Sequence, residues 1–144
     1  MNKEKITTLF SQTGCVNFPA AEEKDIQKIN SDLMICELPP LPQDYKDFLL
    51  ITNGFIYDGL EFFGTKSYDR KEKNYTFSGL SDINLKFVEY QFFSDKLIIG
   101  KMSENLIIYD STNGYYSIVD SINLCSQIEF SEFKDIINII LGLN

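Results

Sequence analysis

The stretch that most restricts the fold is Ser111-Thr112-Asn113-Gly114, which lies between two runs of β-branched and aromatic residues. Asn-Gly tolerates the positive φ angles of a tight hairpin, so residues 105–110 (NLIIYD) and 115–119 (YYSIV) are expected to pair antiparallel. Residues 96–100 (KLIIG) read as a preceding strand and residues 124–129 as a further short one. Upstream, residues 55–64 (FIYDGLEFFG) read as strand, turn and strand, broken at Asp58-Gly59.

Helical periodicity brackets these strands. Ile6, Leu9 and Phe10 stand at i, i+3 and i+4 in a short amphipathic segment over residues 3–12. Ile26, Ile29 and Leu33 mark one face of a helix over 21–33, with Glu22, Glu23 and Asp25 at its positive end. Pro39, Pro40 and Pro42 interrupt helix, and Pro42 is placed to be the first residue of the next one, over 42–53. That helix carries Tyr45, Phe48, Leu49 and Thr52 on one side, and Gly54 follows as a left-handed stop. Residues 65–75, with the charge run Asp69 to Lys73, read as an exposed loop. Residues 81–92 have helical spacing at Ile83, Phe87 and Tyr90 with Ser81 as cap, although Leu85 and Phe87 also tolerate strand. Ser131 caps a closing helix with Phe133, Ile136, Ile137 and Ile140 facing inward and Gly142 at its end. Together these elements predict a single α+β domain over residues 1–144, in which N-terminal helices and a C-terminal helix pack on a central antiparallel sheet of about 4–6 strands.

The inventory narrows function. The chain has no His, which removes the Ser-His and Cys-His nucleophile pairs and the usual proton shuttle. Cys15, Cys36 and Cys125 are widely spaced and read as reduced thiols, too few for a four-thiolate zinc site. The pairs Asp44/Asp47 and Glu132/Asp135 stand at i, i+3 and read as helix-terminal charge rather than as carboxylates facing each other across a cleft. No DxDxDG calcium loop occurs, and no cofactor or metal is expected. The expectation is a protein that is not an enzyme.

Net charge is −8, from 13 Lys and Arg against 21 Asp and Glu, and Arg70 is the one Arg. Such a surface repels nucleic acid and anionic membranes and attracts a basic partner. The opening MNKEKITTLF lacks the apolar core of a secretory signal, and no stretch has the length of a membrane span, so a cytoplasmic location is expected. The abundance of Ile, Asn and Lys with a single Arg suggests an AT-rich bacterial genome.

The segment Leu41-Pro42-Gln43-Asp44-Tyr45-Lys46-Asp47-Phe48-Leu49, followed by Asn53-Gly54, resembles the signature of the SUKH superfamily. In that group a strand ending in Phe-Gly follows, here Phe62-Phe63-Gly64, then an apolar strand ending in Gly, here Leu97-Ile98-Ile99-Gly100. A strand ending in Asp (Leu106 to Asp110) and a helix opened by Ser131-Glu132-Phe133 complete a pattern spanning residues 20–141. Members often carry a Trp and two Gly after the signature helix; here Phe55 follows Gly54 and the chain has no Trp.

The resemblance implies either a bacterial immunity protein, bound to a nuclease or other toxin domain, or a regulator related to those of fungal cell-wall glucan synthesis. The partner expected on the first reading is a protein, such as a basic toxin domain, and a monomer or a weak dimer would serve. An aromatic anchor ringed by charge concentrates binding energy. On that ground the candidate partner-binding residues are Tyr57, Asp58, Glu61, Tyr68, Asp69, Glu72, Tyr75, Glu89, Tyr90 and Glu104.

Overall fold

The structure, a computed structural model, describes residues 3–11, 14–70 and 74–140. Along these the chain runs α1 (Lys3–Phe10), β1 (Val16–Asn17), α2 (Glu23–Ile35), α3 (Gln43–Leu49), β2 (Phe55–Tyr57), β3 (Leu60–Phe62), β4 (Tyr68–Arg70) and β5 (Tyr75–Phe77). It continues through α4 (Leu80–Leu85), a 3-10 helix (Gln91–Phe93), β6 (Lys96–Met102), β7 (Asn105–Asp110), β8 (Tyr115–Asp120), β9 (Ser126–Phe130) and α5 (Phe133–Ile140). Seven strands form one antiparallel sheet in the order β1-β2-β3-β6-β7-β8-β9, and β4 and β5 pair as a separate ribbon.

This is the expected α+β architecture with one strand more in the sheet. The addition is β1, whose two residues pair with β2 and are too short to show a period. The ribbon corrects the reading of 65–75 as a loop. Tyr68 lies opposite Phe77, and Phe18 stacks on both rings at centroid distances of 4.3 and 5.1 Å. An aromatic sandwich between segments far apart in sequence holds this charged stretch in strand form.

Three helix boundaries move. Pro42 is the residue before α3, with extended ψ of 154°, rather than its first residue. The helix ends at Leu49, and a turn carries the chain through Thr52, whose N–H still donates to the Phe48 carbonyl at 3.0 Å. Gly54 has the expected positive φ, at 116°. Over 81–92, only Leu80–Leu85 is α-helix, preceded by Gly79 and not capped by Ser81. Asn84 decides this end. Its amide donates to the carbonyls of Leu80 (2.8 Å) and Ile98 (3.0 Å), and its Oδ1 accepts from the Ile98 N–H (2.8 Å). A buried amide so fully paired fastens α4 to β6, and the following aromatics reach a 3-10 helix at Gln91–Phe93. The stop expected at Gly142 lies outside the described residues, as do the side chains of Leu9, Phe10 and Ile140.

The core is aromatic at its centre. Phe133 of α5 meets Tyr45, Phe48 and Phe62 at centroid distances of 5.0, 5.1 and 5.0 Å in steep, edge-on geometries. Such pairs contribute about 0.5–1.5 kcal/mol each beyond their buried area. The expected inward faces of α2 (Ile26, Ile29, Leu33) and α3 (Tyr45, Phe48, Leu49) are all buried.

Candidate partner-binding surface

The signature residues are occupied in holding the scaffold. The Tyr45 hydroxyl lies between the carbonyl oxygens of Phe63 (2.5 Å) and Ile99 (3.1 Å), where it donates its proton. Ile99 is the extra residue of a β-bulge in β6, where pairing with β7 shifts between Ile98 and Gly100. The bulge frees its carbonyl for Tyr45 and for the Phe63 N–H at 2.9 Å. Burial pushes the Tyr45 phenol well above its usual pKa, so it stays a donor. Asn53 accepts from the Thr65 N–H (2.7 Å) and donates to the Thr65 hydroxyl (2.8 Å). A Cβ on Gly64 would lie 2.3 Å from the Asn53 carbonyl oxygen, which is why glycine stands there.

Three of the four carboxylates singled out in sequence line one cleft at the packing of α3 against α5, and Asp135 faces a separate groove beside β9. Asp44, Asp47 and Glu132 line a cleft of about 480 Å³ with Tyr109, Tyr116 and Lys134. Asp44 is spent on structure. One oxygen accepts from the Tyr116 hydroxyl and the other from the Phe133 N–H at 2.8 Å, so Asp44, rather than Ser131, satisfies the first amide of α5. The Ser131 hydroxyl instead sits 3.5 Å from the Asp135 carboxylate. Burial, with the Asp44 carboxylate beside it, holds the Tyr116 phenol far above its usual range. Asp47 accepts from the Gln43 amide (2.9 Å), and Glu132 pairs with Lys134 (3.0 Å). Among the described residues no group of three or more acidic or Cys side chains is arranged to hold a metal ion, and no helix is long and apolar enough to cross a membrane.

The candidate partner-binding residues fall in three places. The first is one end of the main sheet. The pairs Tyr57↔Leu60, Leu60↔Met102, Met102↔Asn105 and Asn105↔Asp120 form a continuous terminal row across five strands. Three turns therefore emerge side by side: Asp58-Gly59, Ser103-Glu104 and the connection from Asp120 to Leu124. Asp58 and Glu104 are exposed and Tyr57 is half-buried. Glu61, behind them, is only 8% exposed, opposite Lys101 on β6. Burial raises its carboxyl pKa, and the Lys101 charge partly offsets this.

Sequence reasoning missed the third of these turns. Ile122 is 84% exposed, and the turn that carries it is tightly bonded. The Asp120 carboxylate accepts from the N–H groups of Ile122 (2.8 Å) and Asn123 (3.0 Å), and the Ser121 N–H donates to the Glu104 carbonyl (3.0 Å). Those amides hold the Asp120 carboxyl below its ordinary pKa, so the end stays anionic. The available signal was Asp-Ser-Ile-Asn, a side chain able to bond its own backbone two residues on.

The second place is the ribbon, which carries Tyr68, Asp69 and Tyr75, with Tyr75 opposite Arg70. Tyr68 is half-buried under Phe18; desolvation and the nearby Asp25 charge raise its phenol pKa. The third is the segment after α4, where Glu89 and Tyr90 line a shallow recess of about 400 Å³ with Leu85, Lys86 and Val88. Glu72 lies outside the described residues.

An antiparallel sheet closed by a Tyr-Phe-Leu helix, a bulged strand ending in Gly and a final helix tied back by Asp44 defines a class of scaffold that displays turns. Residues 20–137 match the SMI1 / KNR4 family (SUKH-1), and the chain belongs to that family. Among curated proteins nothing matches it.

Proposed function

We propose that the chain is a non-catalytic protein-binding module, an immunity protein that binds and neutralises a bacterial toxin with a basic active surface, such as a nuclease. The observation that supports this reading best is the turn-bearing end of the sheet. There Ile122 stands out beside the carboxylates of Glu104 and Asp120, on backbone already fixed by hydrogen bonds, and Asp58 extends the anionic edge at the far side of the Glu104 turn. A rigid apolar knob loses little conformational entropy on binding, and the carboxylates beside it match the Lys and Arg that a nuclease presents to phosphate. The carboxylates of the α3–α5 cleft hydrogen-bond or ion-pair with neighbouring side chains and backbone, as expected of scaffold groups.

The test is co-expression with the toxin encoded beside it. A stable complex of the two, weakened by salt, together with rescue of growth, is the expected result. Absence of both would refute the proposal, and capture of host proteins without protection would favour a regulator of the glucan-synthesis kind.

A further inference from the structure

The two edges of the main sheet are finished differently. β1 is two residues long, and an edge so short offers almost nothing to pair with. β9 is five residues long, four of them exposed, and Ser126–Phe130 contains neither Lys nor Pro. Among the described residues no strand pairs with its outer side. An unpaired row of N–H and C=O groups accepts a further strand unless something blunts it.

Local geometry says where such a strand would lie. Pairing with β8 shifts between Ile118 and Val119, which leaves Gln127 as a bulge and Ile128–Phe130 as the regular stretch. Beyond that stretch a groove of about 370 Å³ runs against α5, lined by Glu129, Phe130, Ser131, Asp135, Asn138 and Ile139. Its ionisable lining is Glu129 and Asp135, both acidic. Apolar surface flanks it, with Ile128 47% and Ile139 58% exposed.

We propose that the outer edge of β9 binds an extended basic segment of a partner protein by strand addition, with Lys or Arg on the Glu129 face and apolar side chains on the Ile128 face. This rests on the reading of the chain as a protein-binding module and gives it a second surface. Main-chain bonds would supply affinity and the alternating side chains selectivity. Two features disfavour a second copy as occupant. Two chains of charge −8 repel each other. Two-fold pairing about Ile128 would also set the regular half of one β9 against the bulged half of the other.

The probe is a short capped peptide of alternating Lys and Val, titrated into the isotope-labelled full chain. Amide shifts and slowed hydrogen exchange are expected at Ile128–Phe130, with affinity falling by about fivefold or more from low to high salt. Glu129→Lys should weaken binding by a similar factor, and Ile128→Lys should abolish the protection; unchanged spectra away from β9 would show that both variants stay folded. A Glu-Val peptide that binds equally well, shifts confined to other surfaces, or outward-pointing β9 amides, those not bonded to β8, already protected in the free chain would each overturn the proposal. A toxin neutralised normally by Ile128→Lys would also overturn it while leaving the proposed function standing. Peptide pairing at β9 without neutralisation of any toxin would do the reverse.

Discussion

The aromatic centre and the turn-bearing end of the sheet are built from the same strands, yet they solve opposite problems. At the centre Tyr45, Phe48, Phe62 and Phe133 are buried, and each polar group nearby has a partner within the chain. At the end, a backbone bond from Ser121 to Glu104 ties two turns together, and Asp58, Glu104 and Ile122 stand out toward solvent. The contrast separates residues that make the fold from residues proposed to meet a partner. The signature sits at the centre, so family membership speaks for the scaffold.

Substitutions at the two regions should therefore separate stability from recognition. The largest effect belongs to the centre. Phe133→Ala removes a ring packed against four others and should cost about 3–5 kcal/mol, read from urea denaturation. Gly64→Ala should cost about 1–3 kcal/mol, because its Cβ would press on a backbone oxygen that cannot swing aside. Tyr45→Phe keeps the ring but strips the Phe63 and Ile99 carbonyls of their phenol donor. A loss of about 1–2 kcal/mol is expected by the same assay.

Glu61 lies between the two regions and gives a pH signature. Its carboxyl pKa is raised in the fold by burial, against the opposing charge of Lys101. The protonated form is therefore the one the fold favours. The associated stability is complete below the unfolded pKa and is lost as pH rises through the higher folded value. Glu61→Gln should thus gain on the parent chain as pH rises from acid to neutral, and the two should converge in acid. A difference independent of pH would show that Glu61 titrates as an ordinary exposed carboxyl. The smallest effect on stability belongs to the sheet end, where Glu104→Gln should move the urea midpoint by no more than about 0.5 kcal/mol equivalent.

Much of the centre was legible in the sequence because its determinants are local. The periodicity of 42–53, the Asp58-Gly59 turn and the Asn113-Gly114 hairpin each announce themselves within a few residues. What escaped depends on contacts between distant segments. The ribbon of β4 and β5 needs Phe18, and the start of α5 needs Asp44, neither of which a local window can reveal. The candidate surface was half legible for the same reason. Tyr57, Asp58, Glu61 and Glu104 were named as charged or aromatic residues, but only strand register brings them to one end, buries Glu61 and sets Ile122 in the turn beside Glu104.

The central claim is that recognition belongs to the displayed turns and not to the signature. The most direct measurement is the association rate with the toxin it is proposed to neutralise, for a chain carrying Asp58→Asn, Glu104→Gln and Ile122→Ser together. The account predicts that this rate falls by about tenfold at low salt, with a shallower salt dependence and an unchanged urea midpoint. An association rate and affinity equal to those of the parent chain would contradict it.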